Sequence, residues 1–203
     1  MFKQLAPVTR TLIIANVLVY VLQNVLGSQM VLNFALWPLD PGLFADAPAF
    51  QVWQLVSYAF LHDTSNLAHI FFNMFALYMF GSEIERLLGP RRYIVYYVVC
   101  VVGAAVAQLL VMHWRGGDPY PTVGASGGVF GLLLAFGMAY PHRRLMLLFP
   151  PIPMPAWLFV TLYGVLELVL GVTGTQQGVA HFAHLGGMAA GFVLLQIWRR
   201  RRR

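Results

Sequence analysis

Unbroken apolar stretches alternate along this chain with short polar or turn-forming punctuation. Six of them emerge, at residues 8–26, 66–88, 93–114, 126–140, 156–172 and 179–198. Several match the ~20 residues a helix needs to cross the hydrocarbon core of a bilayer. The pattern predicts an all-α polytopic membrane protein, a single domain over residues 1–203 folded as a six-transmembrane-helix bundle. Lys3 and Arg10 ahead of the first apolar core mimic a signal peptide, but no small-x-small cleavage site closes it, so it reads as the first helix. The connection at residues 27–65 is rich in Leu, Phe, Trp and Pro and nearly free of Lys and Arg. Pro and Asp around Trp37 and Pro41 break it, which predicts short helices, partly embedded at the outer interface. Residues 116–124 form a Gly, Pro and Asp turn, and Pro150, Pro151, Pro153 and Pro155 stiffen the link before the fifth segment.

Composition narrows the class. At 59% hydrophobic and 10% charged residues, the chain carries more apolar surface than a water-soluble globule of this size can hide. A lone cysteine, Cys100, excludes an intrachain disulfide or a thiolate cluster. The net charge of +6 does not imply nucleic acid, because the basic residues sit at the ends of apolar segments. In a six-span topology Lys3, Arg10, Arg86, Arg91, Arg92, Arg143, Arg144 and Arg199 to Arg203 share one side, and only Arg115 lies opposite. The positive-inside rule then makes both termini cytoplasmic.

The same topology places the starts of the second, fourth and sixth segments in the outer leaflet, and each start carries a polar residue: His69, Ser126 and His184. Ionisable groups inside spans are costly and mark function. Ser126 stands in Gly124-Ala-Ser-Gly-Gly128, where a loop gives way to a helix whose first N–H groups are free. That helix, at about 15 residues and ~22 Å, is shorter than the ~30 Å core, so Ser126 is predicted to lie submerged. Gly127-x-x-x-Gly131 and Gly187-x-x-x-Gly191 strip side chains from one stripe of the fourth and sixth helices, letting their backbones approach and bringing His184 toward Ser126 as its base. His69 and Asn73, four apart on one helix face, can donate hydrogen bonds to an oxyanion beside the Ser126 N–H.

His69-Ile-Phe-Phe-Asn73 with Gly81 and Glu83, Gly124-Ala-Ser126-Gly127, and Ala183-His184-Leu-Gly-Gly187-Met-Ala-Ala-Gly191 together resemble the rhomboid family of intramembrane serine proteases, in its compact six-span bacterial form. The resemblance implies a Ser126–His184 dyad with no third acidic member, and an oxyanion site of His69, Asn73 and the Ser126 backbone. It implies no cofactor and no metal. Its substrate would be the transmembrane segment of another membrane protein, entered laterally from the lipid bilayer and cut near the outer leaflet. The expected location is the bacterial inner membrane, with the site opening outward and access controlled by the loop at 27–65 and by the fifth helix with its following loop. Where the family often carries Trp-Arg in that first loop, this chain has Trp53-Gln54, so the loop is expected to be held differently.

Competing readings use the same residues. His181, one turn before His184, is a rival base, although the family's His-x-x-Gly-x-x-x-Gly register fits His184. His62, His69, His181 and His184 could hold a metal, but neither a His-Glu-x-x-His string nor a carboxylate at ligand spacing accompanies them. Gly-x-Ser-x-Gly matches the nucleophile elbow of soluble hydrolases, which requires a preceding strand. Glu167 reads as a gate-lining or solvated carboxylate, Gln108 as a packing or water-holding amide, and Trp53, Phe60 and Trp157 as interface aromatics. Other classes are a non-catalytic relative that binds membrane-protein clients, and a transporter, for which the inner halves of the spans hold few polar groups.

Overall fold

The computed structural model describes residues 4–40, 48–115, 120–146, 151–174 and 179–201. Parts of three connections discussed above, at 41–47, 116–119 and 175–178, lie outside the described residues, as does Pro150. Chain punctuation sets the helix ends. Pro7 opens α1 (Pro7–Leu26), where a missing N–H costs nothing, and Gly27 ends it at φ 62°. After α2 (Ser28–Phe34) and the short α3 (Gln54–Ser57), Asn66 accepts a hydrogen bond from the Ala68 N–H and caps α4 (Leu67–Ala76). A π turn, Leu77–Gly81, joins α4 to α5 (Ser82–Leu88), making one span of 22 residues. Gly89 at φ 79° and Pro90 separate it from α6 (Pro90–Arg115). Then follow α7 (Ser126–Ala139), α8 (Ala156–Thr173) and α9 (His181–Arg200). The Pro-rich link before α8 forms a two-stranded antiparallel pair, β1 (Arg144–Met146) with β2 (Pro153–Pro155).

Among the described residues, four helices are long and apolar enough to cross a bilayer: α1, the α4–α5 span, α6 and α8. α7 is apolar but only 14 residues long. α9 has 20 residues, with His181 and His184 at its start and Arg199 and Arg200 at its end.

α9 packs between α6 and α7, and small residues set both distances. A Cβ on Gly187 would stand 2.1 Å from the Gly127 carbonyl oxygen of α7. One on Gly186 would meet Ala107 Cβ at 2.4 Å, and one on Gly103 would meet Ala190 Cβ at 2.3 Å, both across the α6–α9 contact. Gly191 faces Tyr96 and Cys100 of α6 rather than α7. The core continues through Tyr93, Tyr96, Tyr97, Cys100, Leu132 and Phe136, all buried.

Polar side chains tie distant segments together at the periphery of this core. Glu85, 2% exposed, accepts from the backbone N–H groups of Val8 (3.0 Å) and Thr9 (2.7 Å) and from the Thr9 hydroxyl (2.8 Å). It thus caps α1 from 76 residues away, opposite the positive end of the helix dipole. Glu85→Ala is expected to leave the Val8 and Thr9 N–H groups without an acceptor, while the Thr9 hydroxyl keeps Tyr93 Oη at 3.2 Å. Stability is expected to fall by about 2–3 kcal/mol, read from unfolding in detergent micelles. Gln23 clamps the His62 backbone, donating to its carbonyl at 2.7 Å and accepting from its N–H at 3.0 Å.

Gln54 explains how the first loop is held without a guanidinium. Its fully buried amide oxygen accepts from the backbone N–H groups of Trp37 and Gln51, each at 3.2 Å, and its amide nitrogen reaches the Asn33 carbonyl at 3.5 Å. The Trp53 indole N–H donates to that same carbonyl at 3.0 Å. A neutral amide that both donates and accepts does here what a purely donating guanidinium cannot.

Candidate active site

The approach to Ser126 is irregular backbone whose polar groups are satisfied by the first loop. Leu36 and Thr122 exchange both N–H···O bonds, at 3.0 and 2.9 Å, and the Gly124 N–H donates to the Tyr58 carbonyl at 3.0 Å. Gln108 of α6, buried, donates to the Tyr120 hydroxyl at 3.1 Å, which makes it a strut under this turn. Gly124 adopts φ 127°, and a Cβ there would stand 2.8 Å from His69 Nε2 and 3.7 Å from Ser126 Oγ. Only glycine lets the chain make this bend with an imidazole on one side and the hydroxyl on the other.

α7 then begins at Ser126, whose side chain is half-buried. No side chain caps this end, so the first-turn N–H groups have no intrahelical acceptor. The Gly127–Gly187 approach brings α9 alongside, and His184 Nε2 lies 2.8 Å from Ser126 Oγ across 58 residues of sequence. The imidazole plane is fixed by Phe130, one turn after Ser126, whose ring stacks on it at 4.2 Å and 6°.

The third converging group is His69. Its Nδ1 accepts from the Asp63 N–H at 3.2 Å, which leaves the proton on Nε2, the atom beside Gly124. Asn73, buried one turn further along α4, donates from its amide nitrogen to the His69 carbonyl at 2.8 Å. That bond engages one of its two amide protons. Beneath them His62 is fully buried, its ring 5.2 Å from that of His69 at a steep angle. Burial, with His69 nearby, holds His62 near pKa 4, well below the usual imidazole range, so it is neutral at physiological pH.

On the far side of His184 the structure departs from the expectation of no acidic partner. Glu167 of α8, 7% exposed, accepts at Oε2 from His184 Nδ1 at 2.8 Å and from His181 Nδ1 at 2.7 Å. His181 therefore sits on the carboxylate, and it is His184 that meets the serine. The donor atoms of Glu167, His181 and His184 lie within 4.8 Å of one another, a set of the kind zinc takes, so the carboxylate missing from the sequence-level metal reading does exist. The two imidazoles already satisfy that carboxylate oxygen. A sequence signal for Glu167 was present. Ala156, Val160, Glu167 and Gly171 are the buried residues of α8 and recur at helical spacing, so the acid shares the packed stripe and faces a neighbour. Arg115 of α6 holds the same helix, donating to the Gly171 carbonyl at 2.6 Å with its guanidinium 5.1 Å from the Phe182 ring centre.

Residues 49–201 match the family model described as the Rhomboid domain. The chain belongs to the rhomboid family. Among similar curated proteins, Rhomboid protease GlpG of Klebsiella pneumoniae subsp. pneumoniae is 27% identical over 197 residues, covering 93% of this chain and 62% of that protein. Rhomboid protease GlpG of Serratia proteamaculans is 31% identical over 201 residues, covering 97% and 64% respectively. That of Salmonella choleraesuis is 33% identical over 132 residues, covering 64% and 43%. The chain thus spans about three fifths of the length of the first two relatives. Rhomboid membership and the apolar helices together make it an integral membrane protein of helical-bundle fold.

Proposed function

We propose that this chain is an intramembrane serine endopeptidase that cuts the transmembrane segments of membrane proteins through a Ser126–His184 dyad. The observation that carries the reading is the 2.8 Å contact between Ser126 Oγ and His184 Nε2, beside an imidazole N–H of His69 on the other side of Gly124. Ser126 Oγ attacks the scissile carbonyl carbon while its proton passes to His184 Nε2. The carbonyl oxygen, now negative, is held by the Ser126 N–H, His69 Nε2–H and the free amide proton of Asn73. Collapse breaks the C–N bond, and the same proton moves from Nε2 to the departing amine. Water, deprotonated by His184, then hydrolyses the acyl-enzyme ester and releases Ser126.

The membrane setting belongs to the same proposal. Six spans, counting α7 and α9 with the four named above, and the basic-residue bias together support both termini lying in the cytoplasm. The chemistry then faces the outer leaflet of a bacterial inner membrane. A helix of 14 residues, ~21 Å long, supports a submerged serine reached through the bilayer. Reconstitution in liposomes with single-span reporter proteins, followed by sequencing of the new terminus, tests the activity. A product cut within or beside the reporter's span supports it, and an intact reporter opposes it. Under this reading His69→Ala removes one oxyanion donor and is expected to lower kcat by about 10²–10³, checked on the same reporter.

A further inference from the structure

We propose that Glu167 is the positioning residue that makes His184 a base, so that the site works as a Ser126–His184–Glu167 triad; the proposal rests on the protease reading above. An ionised carboxylate only accepts, so the 2.8 Å contact from His184 Nδ1 requires the proton on that nitrogen. The Nε2 lone pair is then directed at Ser126 Oγ, 2.8 Å away, as proton abstraction needs. When the Oγ proton moves to Nε2, the Nδ1 proton stays in place, Glu167 remains ionised, and its negative charge faces the new imidazolium across one hydrogen bond. Without the carboxylate, the tautomer and the charge of the base would both lack support in a buried site.

His181 has a defined part in this arrangement. Its Nδ1 donates to the same Oε2 at 2.7 Å, which holds the carboxylate turned toward α9. Both imidazoles are buried, and the ring planes stand at 87° to each other, so they approach one oxygen from two directions. Among the described residues, the polar or charged groups around the cluster include Ser126 on α7, His69 on α4, Arg115 on α6 and Tyr163 on α8, which packs on Phe130. Arg115 is engaged with the Gly171 carbonyl, one turn beyond Glu167, and fixes the helix that carries the acid.

The test measures kcat and KM against pH for the reconstituted full chain carrying Glu167→Gln or Glu167→Leu, with Ser126→Ala in parallel. Glu167→Gln keeps an acceptor oxygen and loses the charge. It is expected to lower kcat about 10–10² fold, leave KM within twofold, and displace the acidic limb of the kcat profile, because the imidazolium loses its counter-charge. Glu167→Leu removes the acceptor too and is expected to cost about 10²–10⁴ in kcat. A purely structural contact would not displace the acidic limb. Should Glu167→Leu fail to fold, the near-isosteric Gln variant decides alone. Wild-type kcat with an unmoved profile in Glu167→Gln, while Ser126→Ala is inactive, overturns the triad and leaves the dyad standing. Cleavage retained by Ser126→Ala overturns the protease reading itself.

Discussion

Ser126→Ala is expected to reduce reporter cleavage by about 10⁴–10⁶ fold, and His184→Ala by a similar factor. Nucleophile and base act as one unit here: the hydroxyl loses its proton only to Nε2, and the same nitrogen serves the water that frees the enzyme. Losses from such a pair do not add. The double variant is therefore expected to be no slower than either single one, an outcome two independent binding residues would not give. Ser126 is half-buried and opens α7, so the unfolding midpoint of Ser126→Ala should stay close to that of wild type. His184→Ala, by contrast, removes a buried ring stacked on Phe130 and a donor to Glu167 and should lower it. Comparing rate and unfolding midpoint on one preparation separates lost chemistry from lost fold.

Gly187→Ala is expected to remove activity by a different route. An added Cβ would stand 2.1 Å from the Gly127 carbonyl oxygen, about 1.3 Å inside ordinary contact, and the obstacle is backbone that cannot rotate away. Relief requires α9 to move from α7, yet its other face is already seated on α6 through Gly186 and Ala190. A shift of about 1 Å between Ser126 and His184 is enough to cost about 10² in rate. Stability should fall as well, by about 1–3 kcal/mol for an overfilled contact. Gly164 offers a control, because a Cβ there meets only the flexible end of Met188, at 3.5 Å. The measurement is cleavage together with unfolding for Gly187→Ala against Gly164→Ala, and wild-type behaviour of the former would mean that the helices need not touch.

What could be read in the sequence follows from the range of the physics involved. The apolar runs reveal a helical membrane protein because periodicity and length are local properties. The glycines at 127 and 187 announce a close crossing, and Ser126, His184 and His69 do converge. Unread was the larger seat of α9 on α6, because Gly103 and Ala107 blend into a uniformly apolar helix. The π turn at Leu77–Gly81 left no trace either, since a change of hydrogen-bond register within an apolar run does not alter composition. Long-range polar partners were the hardest to foresee. Glu85 caps α1, Gln23 clamps His62, and Gln54 gathers the first loop, each across dozens of residues or through a backbone group with no sequence signature. Glu167 belongs with them, except that its place in the buried stripe of α8 gave a usable sign.

Covalent capture of the nucleophile tests the central claim most directly. A fluorophosphonate loses fluoride as its phosphorus bonds to an activated serine oxygen, so the site can be read by mass mapping of the labelled chain. Wild-type protein in liposomes is expected to carry one adduct on Ser126, and His184→Ala is expected to carry almost none, because the hydroxyl has lost its base. An unlabelled Ser126 in folded wild type, or equal labelling with and without His184, would contradict the dyad and favour a membrane protein that binds its clients without cutting them.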